Sequence, residues 1–152
     1  MSDLFGLSNV YIDDILRQQC KKYLGIFSSN TIPSSLKNVS GSLIVNLSPA
    51  HSWGSHFVTI LLLADRVLYV DSLGKKCENP SILQFLISTD RPIFYQSSSM
   101  QRPDSSFCGF YCMLVVTHFE IFDKWSNPFQ EENNNDVMCI FLLCHNLQKL
   151  KE

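Results

Sequence analysis

Helical spacing and short apolar runs divide this chain. From residue 10 to residue 24 apolar side chains recur every three or four positions, with Ile12, Ile15, Leu16 and Cys20 near one face, which predicts an amphipathic helix. A Ser-rich stretch with Pro33 follows as loop, and Ser42-Leu-Ile-Val-Asn-Leu47 reads as a strand. Phe57-Val-Thr-Ile-Leu-Leu-Leu63 and Val67-Leu-Tyr-Val70, separated by the turn-prone Ala64-Asp65-Arg66, predict a β-hairpin. Asn79-Pro80-Ser81 carries the cap and the proline of a helix start, so a short helix runs to about residue 87, and residues 92–95 form a further strand. Residues 107 to about 122 are apolar on every face, which predicts a helix buried in the middle of the fold. After the polar break Glu131-Glu-Asn-Asn-Asn-Asp136, where Asp136 is placed to cap, a last helix runs from 137 to about 149.

These elements compose an α+β fold: a small, mostly antiparallel sheet packed on a central helix that starts at Cys108, flanked by N- and C-terminal helices. The chain has 152 residues, 45% hydrophobic and 17% charged, which suits the core of one compact domain, so residues 1–152 are expected to form a single domain. There is no internal repeat, long low-complexity tract or linker.

The charge balance narrows the partners. Net charge is −2, the pI is about 6.0, and Lys and Arg are scattered, with only Lys21-Lys22 and Lys75-Lys76 adjacent. Without a basic stripe, nucleic-acid binding is not favoured. The opening Met1-Ser-Asp-Leu-Phe lacks the basic region of a signal peptide, and the longest apolar run, 57–64, is too short to span a bilayer. An intracellular protein with no membrane association is expected. Six cysteines in such a chain belong to a reducing compartment rather than a disulfide framework. Neither Cys108-x3-Cys112 nor Cys139-x4-Cys144-His145 has the spacing of a structural zinc site, so no metal is expected.

The chemistry concentrates in Gln101-Arg-Pro-Asp-Ser-Ser-Phe-Cys108-Gly-Phe-Tyr-Cys112-Met113, a polar loop that runs into the apolar helix with a cysteine at the junction. A thiol at a helix N-terminus feels the positive end of the macrodipole, and the free N–H groups there lower thiol pKa values and can hold a developing oxyanion. Cys108 is therefore the candidate nucleophile, with Ser105, Ser106 and Gly109 beside it suited to a cap and a close backbone approach. Cys112, Cys139 and Cys144 lie in apolar helical runs, as structural thiols do.

A thiolate needs a base, and the base an orienter. His56 opens the first hairpin strand, whereas His51 precedes Trp53 in a loop, and His118 and His145 fall in helical runs with no motif nearby. Asp71 ends the second strand. A two-residue loop at 63–64 would pair His56 directly with Asp71, and one at 64–65 would set them on a diagonal of the same face. Directly opposed Cβ atoms lie about 5 Å apart, close enough for a carboxylate to hold an imidazole tautomer. A three-residue loop would put them on opposite faces. Asp71 equally suits a turn before Ser-Leu-Gly, and a glutamine in a Ser-rich loop is ordinarily solvated, so the residues alone leave Asp71 and Gln101 open between structure and chemistry. Trp53 and Phe57 are candidates either to border a cleft or to pack in the core.

A histidine opening a strand, Asp71-Ser72-Leu73-Gly74 after the next, and Gln101-x-Pro103-Asp-Ser-x-x-Cys108-Gly together resemble the adenain family, the adenovirus-protease type of cysteine protease, and more distantly the SUMO-deconjugating cysteine proteases. The step of seven from Gln101 to Cys108 is similar to the adenain branch, and Asp rather than Glu at 71 is similar to the SUMO-protease branch. Motifs carry the match over roughly residues 50–120; the first third is similar in the order of its elements alone. The resemblance implies an adenain-like fold of the papain-like clan, with His56 as base, Asp71 as orienter, Gln101 as oxyanion donor and Cys108 as nucleophile.

It further implies an endopeptidase that cleaves viral precursor proteins at small, glycine-rich sites during virion maturation, a monomer acting in the host nucleus or cytoplasm and in the virion. DNA and a short viral peptide are the activators of the adenovirus enzyme, the peptide through a disulfide to a cysteine between the hairpin and the glutamine. Here residues 78–100 contain no cysteine, and the charge does not favour DNA, so the sequence requires no cofactor. Two other functions fit the same residues: an isopeptidase removing ubiquitin or SUMO from host conjugates, and a non-catalytic interaction domain of the same fold. The presence of His56, Asp71, Gln101 and Cys108 together argues against the last.

Overall fold

The computed structural model describes residues 9–48, 56–130 and 134–152. Helix α1 (Asn9–Gln19) leads into strand β1 (Tyr23–Ser28), and a short 3-10 turn (Ser34–Asn38) leads to β2 (Gly41–Asn46). The hairpin β3 (Phe57–Leu62) and β4 (Val67–Val70) is followed by α2 (Pro80–Ser88), β5 (Ile93–Tyr95), α3 (Cys108–Phe122) and α4 (Asp136–Leu150). Asn79 caps α2 as its sequence predicts: the side-chain oxygen accepts from Ser81 N at 3.0 Å and Ile82 N at 3.2 Å, with Pro80 at the first helical position.

The first helix stops five residues before the end its periodicity predicts, and β1 takes over. Tertiary pairing overrides local spacing here. Lys22 donates its N–H to the Glu120 carboxylate of α3 at 2.9 Å, and its carbonyl accepts from Ser42 N of β2 at 2.9 Å. Gly25, at φ 137°, has a backbone that no helix accommodates, and the β1–β2 register shifts between Tyr23 and Gly25.

The strands form one sheet in the order β1-β2-β3-β4-β5. The inner ladders β2–β3 and β3–β4 are antiparallel, and the two edge ladders, β1–β2 and β4–β5, are parallel. Each parallel edge needs a connection that returns along the sheet, supplied by the 3-10 turn on one side and α2 on the other.

Both faces of the sheet are covered, which is why β2 and β3 are almost continuously apolar. Leu43, Val45, Val58, Ile60 and Leu62 point towards α2 and pack on Ile82, Phe85 and Leu86. Residues of opposite parity face α3: Ile44 joins Cys112, Met113 and Val116 and the α1 residues Ile12 and Leu16, while Leu61 and Val70 join Tyr111, Leu114 and Val115. Ten of the fifteen residues of α3 are buried, so the apolar helix is central as expected, held between the sheet, α1 and α4. Asn146 of α4 donates a hydrogen bond of 3.1 Å to the buried Thr117 of α3. Among the described residues no helix is long and apolar enough to cross a membrane.

Candidate active site

The hairpin register decides where His56 and Asp71 stand. Thr59 pairs with Val70 and Leu62 with Val67, and Leu63 N donates to Arg66 O at 2.9 Å, so the loop consists of Ala64 and Asp65. Val58 then lies opposite Asp71, and His56 lies two residues further along the same face. This is the diagonal of the two arrangements expected. His56 is held extended by the β2–β3 ladder, since its carbonyl accepts from Leu47 N at 2.9 Å.

The diagonal suits the length of the imidazole. His56 Nε2 lies 2.7 Å from Asp71 Oδ1, and the same oxygen accepts from Leu73 N at 2.8 Å. Asp71 is only 3% exposed, so its charge is satisfied by these donors rather than by water. With Nε2 engaged by Asp71, Nδ1 is the nitrogen left for a second partner, and the Cys108 thiol stands close enough to act on the ring. Burial pulls the imidazole pKa down, but the hydrogen bonds and charges of Asp71 and Cys108 more than reverse this and push it up to about 9.

Cys108 is the first residue of α3, where its N–H has no acceptor within the helix. All six cysteines are free thiols. Burial pushes Cys112, one turn along, well above the ordinary thiol range, raises Cys139 and Cys77, and lifts Cys20 to about 12. Cys144 is exposed on α4 rather than buried. His118 packs its ring on Phe122 and Trp125, with a pKa lowered by burial, and His145 is exposed on α4. Neither belongs to the His56 cluster. Phe57 packs against the α1–α3 core; His51 and Trp53 lie outside the described residues.

Gln101 is not a solvated loop residue: it is 4% exposed and bonded at both ends of its amide. Nε2 donates to the Ser105 carbonyl at 2.9 Å, and Oε1 accepts from the Ser72 hydroxyl. A backbone carbonyl only accepts, so the direction of the amide is determined. The Ser72 carbonyl also receives Met100 N at 2.6 Å and Gln101 N at 3.0 Å, tying the loop before α3 to the turn after β4.

Sequence reasoning missed three members of this network. Ser72 stood inside the Asp71-Ser72-Leu73-Gly74 motif, where its neighbour drew the attention. Tyr111 lies in the apolar run 107–122, yet its hydroxyl donates to Asp136 at 2.8 Å. Asp136 was expected to cap α4; instead Asn135 occupies the cap position without a side-chain bond, and the Asp136 carboxylate turns to Tyr111 and to Ser105, 2.9 Å away. Ser105, expected as a cap, accepts from Phe107 N at 3.1 Å, one residue short of α3.

No protein-family model matches the chain, and no curated protein matches it in sequence. Among solved structures, the fold is similar to that of the ASFV pS273R protease, with a TM-score of 0.62 at 13% identity over 90% of this chain. It is also similar to that of the SUMO protease Ulp1 with its catalytic cysteine oxidised to a sulfinic acid, with a TM-score of 0.54 at 16% identity. That match covers 96% of this chain and 79% of Ulp1, whereas the chain spans 66% of the length of the ASFV protease. The fold is thus the adenain and SUMO-protease type that the motifs resemble.

Proposed function

We propose that this chain is a cysteine protease with Cys108 as nucleophile, His56 as base and acid, Asp71 as orienter and Gln101 as oxyanion donor. One observation carries the reading: an imidazole whose Nε2 lies 2.7 Å from a buried carboxylate also interacts with the thiol that opens the central helix, which helps to raise the pKa of the ring. The Cys108 thiolate attacks the scissile carbonyl, and the oxyanion takes the Cys108 N–H and the second amide proton of Gln101. Collapse of the tetrahedral intermediate breaks the C–N bond, the leaving amine takes the proton from His56, and a thioester remains. Water, deprotonated by His56, then cleaves the thioester, releasing a carboxylate and regenerating the thiol.

The substrates that fit this reading best are viral precursor proteins cut at small, glycine-rich sites during particle maturation, in the infected cell and the virion. Likeness in fold to a viral protease supports that choice. An isopeptidase acting on SUMO or ubiquitin conjugates is the second reading, supported by the likeness to Ulp1 over 96% of this chain.

The test is a pH series of iodoacetamide alkylation read by mass spectrometry at each cysteine, in the wild type and in His56→Ala. A Cys144→Ser background removes the exposed competing thiol. Cys108 is expected to react below pH 7 and to slow in His56→Ala, while the other buried thiols, with no imidazole partner among the described residues, stay unmodified. A Cys108 that reacts no faster than Cys20 or Cys77 sinks the catalytic reading and favours a binding domain. Propargylamide-ended SUMO and ubiquitin then separate the substrates, since only an isopeptidase is trapped by them.

A further inference from the structure

We infer that Ser72 and Asp136 are positioning residues of this site, holding the Gln101 amide from its two ends so that one of its N–H bonds stays aimed for an oxyanion. The inference rests on the cysteine-protease reading above. A glutamine side chain has three rotatable bonds, and a donor that must find its place during the reaction forfeits the advantage of preorganisation. Here both ends of the amide are occupied before any substrate arrives.

At one end Ser72 acts twice. Its carbonyl receives Met100 N at 2.6 Å and Gln101 N at 3.0 Å, which locates the backbone, and its hydroxyl donates to Gln101 Oε1, which locates the side chain. At 3% exposure this hydroxyl has no water to compete for it. Because Ser72 follows Asp71 directly, one turn orients the base on one side and the oxyanion donor on the other.

At the other end Nε2 donates to the Ser105 carbonyl at 2.9 Å, so the donor is placed only as well as Ser105 is. Ser105 lies in loop, and Asp136 fixes it. The Ser105 hydroxyl is 2.9 Å from each Asp136 oxygen, and Tyr111 OH, from the first turn of the nucleophile helix, donates to Oδ1 at 2.8 Å. A half-buried carboxylate needs such donors, and two hydroxyls from the loop and from α3 supply them. The Ser105 oxygen also accepts from Phe107 N at 3.1 Å, which spends that N–H and leaves the Cys108 N–H as the next along the chain. Among the described residues the Asp136 carboxylate bonds to Ser105 and Tyr111, so this bracing is what its side chain does.

The test compares two reactions of Cys108 in the full chain carrying Cys144→Ser. Acylation by acetyl-Gly-Gly p-nitrophenyl ester, followed by nitrophenolate release in a single turnover, passes through an oxyanion. Alkylation by iodoacetamide is a displacement at saturated carbon and does not. Ser72→Ala and Asp136→Ala are each expected to slow acylation about five- to tenfold, the size of effect that the loss of one positioning bond gives, and to leave alkylation unchanged. Gln101→Ala is expected to slow acylation by about 10²-fold, with no further loss when Ser72→Ala is added, because residues acting through one group do not add. Ser72→Thr, which keeps the hydroxyl, restores most of the rate. Equal losses in acylation and alkylation, or a Ser72→Ala effect that persists undiminished beside Gln101→Ala, overturn the positioning role while the protease reading stands. A wild type whose Cys108 neither alkylates nor acylates overturns both.

Discussion

His56 and Asp71 meet on a diagonal of the β3–β4 hairpin, with Nε2 2.7 Å from Oδ1, because the loop between the strands holds two residues and not three. The pairing charges the ring. Burial on its own would lower the imidazole pKa, and the aspartate and Cys108 lift it to about 9.

Peptide cleavage requires the protonated ring to supply the leaving amine, so the rate is expected to fall on the alkaline side near pH 9. Asp71→Asn keeps an acceptor for Leu73 N but removes the charge that raises His56. Its alkaline limb is expected to move down towards the ordinary histidine range near 6.5, with the maximal rate lower by about 10²-fold or more. A kcat/KM profile against pH checks both shifts; a limb that stays near 9 in Asp71→Asn assigns the raised pKa to another cause.

The same shift has a consequence for stability. A group whose pKa is higher in the folded chain stabilises it fully below the unfolded value, 6.5, and loses that contribution as pH rises through about 9. Urea unfolding of the wild type and His56→Ala is expected to show a difference that shrinks by up to about 3 kcal/mol between pH 6.5 and 9.5. A constant difference would mean that the pair adds no net charge stabilisation.

Gly74 closes the turn after Asp71 at φ 75°, and a Cβ there would stand 2.9 Å from Ser99 N and 3.0 Å from Ser98 C. Those atoms belong to the segment that delivers Gln101. Gly74→Ala is expected to cost about 1–2 kcal/mol, a fall in Tm of roughly 2–8 °C. It should slow acylation of Cys108 more than alkylation, and an unaltered ratio of the two rates would argue against that coupling.

Ile44 is fully buried between the sheet, α1 and α3, whereas Phe141 on α4 is 69% exposed. Ile44→Ala is expected to destabilise by about 2–5 kcal/mol and Phe141→Ser by less than about 0.5 kcal/mol in urea titrations. A large cost for Phe141→Ser would show that its ring is covered in solution.

Much of this was legible in the residues. The apolar runs at 57–63 and 67–70 around a turn, the Asn79-Pro80 cap and the all-apolar helix after Cys108 each carry a local signal that the tertiary structure does not oppose. Strand β1 was not legible, because residues 20–24 continue the helical spacing and only the pairing of Lys22 with Ser42 and Glu120 turns them into a strand. Its parallel pairing with β2 was hidden for the same reason, and so was the role of Asp136, whose position before a helix gives the signature of a cap.

What the sequence by itself determined is the set of elements apart from β1 and the placing of a cysteine at the start of a buried helix, since periodicity, caps and turns act over a few residues. It also narrowed the hairpin to a few registers, two of which bring His56 and Asp71 to one face. Only the tertiary structure decided among them, and only it turned Gln101 inward between Ser72 and Ser105. Those choices depend on contacts between residues 15 to 31 positions apart, whose free energies no local pattern encodes.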